Sequence, residues 1–215
     1  TLVTEDSASL YVYRIESEAH SQTGVVGCCH VEDYESGAIL RHEKTRPDKE
    51  ADRTRLNLEL RAHTGPVLMT YRSQDVIDGI VAEIATRELL LEAGSEDGAV
   101  HRLWRVDEPG ALVHAFNDVS NFYIADGHHR AAAAAAAARV LAAENPAHSG
   151  EEEYNWFLAA LFPDKQLKIM AYNRCVSDFG NRSERSFIEA LRGVCDVTMT
   201  ACPVPFAPKH VSCYI

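Results

Sequence analysis

One stretch limits what this chain can become more than any other: Asn121–Ala143, NFYIADGHHRAAAAAAAARVLAA. Eight consecutive alanines followed by Arg139, Val140 and Leu141 carry the highest intrinsic helix propensity available, so a helix is expected through them. Just before it, Phe122, Tyr123 and Ile124 read as a short strand, and Asp126-Gly127 suits a tight turn. His128, His129 and Arg130 then fall in the helix's first turn, where unpaired backbone N–H groups and the positive end of the helix dipole favour an anion. Gly127 lets a ligand approach the backbone, and a guanidinium fork with two imidazoles adds charge-assisted donors. This is a phosphate-binding turn in physical terms. The alanines give the helix a smooth face suited to lying close against a sheet.

Composition limits the partners. With 215 residues, 46% hydrophobic and 25% charged, the chain can bury a real core as one large domain or two small ones. A net charge of −11 disfavours non-specific binding to nucleic acid or to an anionic membrane surface, so any phosphate recognition must be local. No direct nucleic-acid or membrane partner is expected. Cys28, Cys29, Cys175, Cys195, Cys202 and Cys213 are too scattered for a small disulfide framework and include no zinc-ribbon pair, which points to free thiols in a reducing cytoplasm. No apolar run approaches the roughly eighteen residues of a membrane span.

In chain order, Leu10–Ile15 and Val25–His30 read as two strands of a hairpin joined by the polar Ser17–Gly24. Val31–Gly37 reads as a helical turn closed by glycine. Asp52–His63 is expected as a helix with Leu56, Glu59, Leu60 and His63 along one side, ended by Thr64-Gly65-Pro66, with His63 packed or capping. Val67–Tyr71 reads as a buried strand, Val76–Leu91 as an amphipathic helix, Glu92–Gly98 as a polar turn, Val100–Val106 as a strand and Pro109–Val119 as a short helix. The middle of the chain thus reads βαβαβα. After the surface loop Glu144–Glu153 come strands at Tyr154–Phe162 and Leu167–Val176, a helix at Ser183–Arg192, a strand at Val194–Met199 and a proline-rich tail at Cys202–Pro208. The expected architecture is α+β, a mixed sheet flanked by helices. Residues 1–143 form its core, and 144–215 add a sheet and helix extension to the same domain.

A second polar stretch, Arg41–Glu50 (RHEKTRPDKE), is almost entirely charged. Such a run is commonly a solvated loop, here stiffened by Pro47. Its mixture suits chemistry as well: Glu43, Asp48 and Glu50 offer a base or magnesium ligands, and Arg46 and Lys49 offer phosphate donors.

Together RHEKTRPDKE, HTGPVLMTYR, FYIADGHHRAAA and the Tyr172–Arg174 segment resemble domain-of-unknown-function family 1015 of bacteria and archaea, whose members are often labelled similar to the ParB/Spo0J partition proteins. Members extend further at both ends, so a piece of a longer chain is expected. The turn Asp126–Arg130 is similar to the Gly-x-x-Arg phosphate motif of the ParB/sulfiredoxin nucleotide-binding fold, which includes free-serine kinases; Gly127 and Arg130 match its fixed places. No cysteine lies in this turn, so sulfinic acid reduction is not implied, and DNA partitioning lacks its basic surface.

Resemblance and residues meet on a nucleotide phosphate site, with Mg²⁺ accompanying ATP, ADP or CTP, in a phosphotransferase or nucleotide hydrolase acting on a small hydroxyl metabolite. In that scheme Gly127, His128, His129 and Arg130 hold phosphates, with His128 also in the catalytic set. Asp126 orients a histidine or binds the metal with Glu43 and Asp48, Glu43 serves as base, and Arg46 and Lys49 neutralise charge. The first alternative is a non-catalytic, nucleotide-gated ParB-like binding module. The second is a metal-dependent hydrolase built on His42, His128 and His129 with Asp126 or Glu43, although adjacent helical histidines point about 100° apart. Homodimer formation is left open.

Overall fold

The computed structural model describes residues 7–169 and 178–198. The chain divides into two compact units, Thr1–Leu167 and Lys168–Ile215. In the first, strands β1 (Leu10–Ser17), β2 (His20–His30), β3 (Ile39–Leu40), β4 (Val67–Tyr71), β5 (Leu91–Gly94), β6 (Val100–Val106), β7 (Phe122–Asp126) and β8 (Trp156–Pro163) form one mixed sheet in the order β3-β7-β4-β8-β2-β1-β6-β5. Helices α1 (Val31–Ser36), α2 (Pro47–Leu60), α3 (Asp75–Ile84), α4 (Gly110–Asn117) and α5 (His128–Glu144) accompany it. The mixed α+β class expected from the sequence is the observed one. The first unit ends at Leu167 and takes in β8, which lies in mid-sheet between β4 and β2. Of the second unit, helix α6 (Glu184–Arg192) is described, its Ser183 hydroxyl capping the Ser186 N–H.

The core follows from alternation. Val67, Met69 and Tyr71 of β4 and Ile124 of β7 are almost fully buried, as are Phe157 and Ala159 of β8. Ile77, Val81 and Ile84 of α3 and Leu112 of α4 are also buried. The alanine-rich α5 departs from the single smooth face expected of it. Ala131 to Ala135 are all buried in succession, which one stripe cannot do, and α5 contacts α2 and α1 as well as strands β4 and β8. Methyl side chains let backbones approach on several sides at once.

Several expected boundaries move. Strand β2 starts at His20, not Val25: the polar residues before Val25 pair with β1, and the Arg14 Nε–H donates to Thr23 Oγ1 at 2.9 Å. Helix α2 starts at Pro47 rather than Asp52, because proline needs no N–H donor in a first helical turn, and it stops at Leu60, where Arg61 turns left-handed (φ 51°). The end of the charge run, Pro47 to Glu50, is therefore helix. The helix expected over Val76–Leu91 ends at Ile84. There the Thr86 hydroxyl donates to the Glu83 carbonyl at 2.7 Å, and Leu91–Gly94 instead forms edge strand β5 on β6. Residues 194–198 are not a strand. Most of the strand expected at Leu167–Val176, the Tyr172–Arg174 segment, Met199 and the proline-rich tail lie outside the described residues.

Candidate functional site

Sheet topology explains why distant charged segments meet. Strands β3 and β7 pair in parallel, Ile39 opposite Phe122 and Leu40 opposite Tyr123, so their succeeding segments leave from the same end of the sheet. After β3 come Arg41, His42 and Glu43; after β7 come Gly127 and His128. Strand β4 runs antiparallel to β7 with Leu68 opposite Asp126, so the Thr64-Gly65-Pro66 connection before it arrives at that end too. A register shift between Leu68 and Met69 places an irregularity next to the turn, the kind of local kink that re-aims side chains.

At the turn, Gly127 is left-handed (φ 93°) and caps α5 with no side-chain hydrogen bond. The N–H groups of Arg130 and Ala131 both donate to the Gly127 carbonyl, at 2.9 and 3.0 Å, and the preceding N–H groups have no intrahelical partner. Arg130 folds back over the glycine. A Cβ on Gly127 would lie 2.8 Å from its Nε, and one on Gly65 3.3 Å from its other terminal nitrogen, so both glycines are packed against the guanidinium. Asp126 accepts from Arg130 at 2.7 Å; the pair is partly open to solvent, with the arginine and aspartate side chains 36% and 74% exposed. Sequence reasoning misses Gly65 because a glycine before a proline looks like a helix stop and nothing more.

The two histidines part company. His129 Nε2 accepts from the Arg46 backbone N–H at 3.1 Å, which fixes its proton on Nδ1 and ties the charged loop to the turn. His128 is buried. Its ring meets that of His42 edge-on at 4.5 Å, and its Nδ1 lies 3.6 Å from Glu43 Oε2. Burial pushes the His128 pKa down, reinforced by His42 and opposed by Glu43 and Asp126, so the imidazole is held neutral. Arg41 stacks over the Tyr34 ring of α1 at 4.6 Å and anchors the loop carrying His42 and Glu43.

Arg46, Lys49 and Asp48 lie at the start of α2 and are accessible to solvent. Arg46 grips Asp48 with two hydrogen bonds, 3.2 and 2.7 Å, and this guanidinium holds the Asp48 carboxyl below the usual range. Of the three carboxylates expected at a metal, Asp126 and Asp48 each hold an arginine, and Glu43 alone sits among histidines. His42, expected only in the metal-hydrolase alternative, lies against His128.

A cavity of about 840 Å³ lies elsewhere along α5, lined by Ala134, Ala137 and Leu141 together with Val113, His63 and Trp156. None of the charged residues of the turn lines it. His63 Nε2 is 2.9 Å from the Trp156 carbonyl, the packed role expected of it.

A family model matches the whole chain, residues 1–215. The chain belongs to the family described as "Protein of unknown function (DUF1015)". The segments that follow β3 and β7 and the one that precedes β4 thus converge on one end of one sheet. Comparison with curated proteins and with solved structures gave no significant match. No helix among the described residues is long and apolar enough to cross a membrane.

Proposed function

We propose that this chain binds a nucleotide through its phosphates at the Gly127–Arg130 turn and acts as a phosphotransferase or nucleotide hydrolase on a small hydroxyl metabolite. The observation that carries the reading is the packing of Arg130 over a left-handed, uncapped Gly127 at the start of the 17-residue helix α5. An anion there meets helix N–H groups, the dipole and a guanidinium already oriented by Asp126. The similarity of this turn to the Gly-x-x-Arg motif of the ParB/sulfiredoxin fold and its free-serine kinases supports the same reading.

The residues then divide the work. Gly127 and Arg130 hold phosphate oxygens, Asp126 orients Arg130, and His129 holds the Arg46 segment against the turn. Arg46 and Lys49 supply positive charge at the rim, and Glu43, 62% exposed, is the carboxylate placed to accept a hydroxyl proton. Mg²⁺ would arrive with the nucleotide and neutralise its phosphates; Asp126 and Asp48 would have to release their arginines to bind it, and Glu43 would not.

Thermal-shift and calorimetric titrations with ATP, ADP, CTP and GTP in Mg²⁺ test the reading on the wild type and on Arg130→Ala. A nucleotide at 100 times its Kd should stabilise the wild type by about 2.7 kcal/mol, and the variant should lose that shift. No shift with any nucleotide, or an equal shift in the variant, sinks the proposal. A bound nucleotide with no turnover on any added hydroxyl compound would favour the gated binding module.

A further inference from the structure

We propose that His42, Glu43 and His128 form a binding site for a divalent first-row transition metal of the zinc and cobalt class. One donor atom from each residue lies within 4.8 Å of the other two. Donors around such an ion at bond lengths of about 2.0–2.2 Å stand roughly 3.3 Å apart, so the group must contract slightly. It can do so from one side: His42 and Glu43 are exposed on the irregular segment after β3, whereas His128 is fixed at the start of α5.

His128 itself points to a ligand. Its side chain is only 4% exposed, its Nε2 has no hydrogen-bond partner, and its Nδ1 faces Glu43 at 3.6 Å, beyond hydrogen-bonding distance. A buried imidazole with a ring nitrogen left unpartnered is a costly arrangement, and ligation removes part of that cost. Edge-to-face packing of His42 on His128 explains two rings in contact, but not why a carboxylate oxygen shares the space. The parallel β3/β7 pairing, which delivers both segments to one end of the sheet, makes the juxtaposition a property of the fold.

Donor chemistry selects the ion. Two imidazoles and one carboxylate suit zinc, cobalt or iron; magnesium and calcium prefer oxygen donors throughout. Three protein ligands also leave coordination open for water or an anion. This site stands without the nucleotide reading, and its test uses metal alone.

The metal-stripped chain is titrated with Co²⁺, following its visible ligand-field bands, and the bound Co²⁺ is then challenged with Zn²⁺ and with Mg²⁺. One Co²⁺ per chain is expected, displaced by Zn²⁺ but not by Mg²⁺. Because His128→Ala removes a buried side chain and can impair folding, His42→Ala and Glu43→Gln are the deciding variants. Each should weaken Co²⁺ binding at least about tenfold while far-UV circular dichroism is unchanged. Absence of saturable one-to-one binding, equal displacement by Mg²⁺, or full affinity in both variants overturns the proposal, whatever the nucleotide titrations show.

Discussion

Gly127→Ala separates what the turn does for stability from what it does for binding. An L-residue in the left-handed region costs about 1–2 kcal/mol, and φ at this position is 93°. The new Cβ would also sit 2.8 Å from Arg130 Nε and 2.9 Å from a terminal nitrogen. That collision is relieved by swinging a flexible side chain away, so its energetic cost is the Asp126 pair, worth at most about 1 kcal/mol at this exposure. The expected loss is therefore about 1–3 kcal/mol, which in a domain of this size lowers Tm by roughly 2–12 °C. Nucleotide affinity should fall as well, by roughly tenfold or more, because the guanidinium would leave the place proposed for it against phosphate. Gly127→Asn is the control: asparagine tolerates the left-handed region, so Tm stays near wild type, yet its Cβ displaces Arg130 just as alanine's does. Scanning calorimetry and nucleotide titration on both variants decide the matter. An unchanged Tm for Gly127→Ala refutes the backbone reasoning, and wild-type affinity in Gly127→Asn refutes the placing of Arg130.

Three further outcomes rest on packing and charge. Gly24→Ala should cost about 3 kcal/mol in a urea melt, since a Cβ there would strike the Leu161 carbonyl and lie 2.7 Å from the Phe162 ring; a midpoint within experimental error of wild type contradicts the close approach of β2 and β8. Ala133→Leu should cost about 1–3 kcal/mol because residue 133 is fully buried inside the α5 packing, and a neutral result means that α5 has room on that side. The Asp164 carboxyl is held down to about 2, first by the Ser73 backbone N–H and then by Arg72, so its contribution is present above its ordinary value of 3.8 and lost as pH falls toward 2. With the side chain 29% exposed, that contribution is about 1–2 kcal/mol, and Asp164→Asn should lower Tm clearly more at pH 7 than at pH 2.5; an equal drop at both assigns the effect to shape, not charge.

Local signals are legible in the sequence and sheet order is not. Phe122–Asp126, Gly127 and α5 stand out because a strand, a glycine turn and an alanine run each declare themselves within a few residues. Helix α3 is overextended by sequence pattern because Leu89, Leu90 and Leu91 look like a helical apolar face, yet they are 40–57% exposed and the last begins an edge strand. Strand β2 reads too short for the opposite reason: polar residues join it through pairing with β1, which no local pattern records.

The candidate site shows the same division more sharply. Every residue proposed for it is visible as chemistry, but which residue faces which depends on a two-residue strand, Ile39–Leu40, too short to announce itself. Its parallel pairing with β7 separates the roles of the adjacent histidines: His129 turns to the Arg46 backbone and His128 to His42 and Glu43. The roughly 100° between neighbouring helical side chains, which counts against joint ligation by His128 and His129, is the reason one turn can serve two ends. It places Arg130 over Gly127 beside the free helix N–H groups while a buried imidazole looks toward a second loop. A loss of metal binding that leaves nucleotide binding intact is thus expected of His42→Ala, and the reverse of Arg130→Ala.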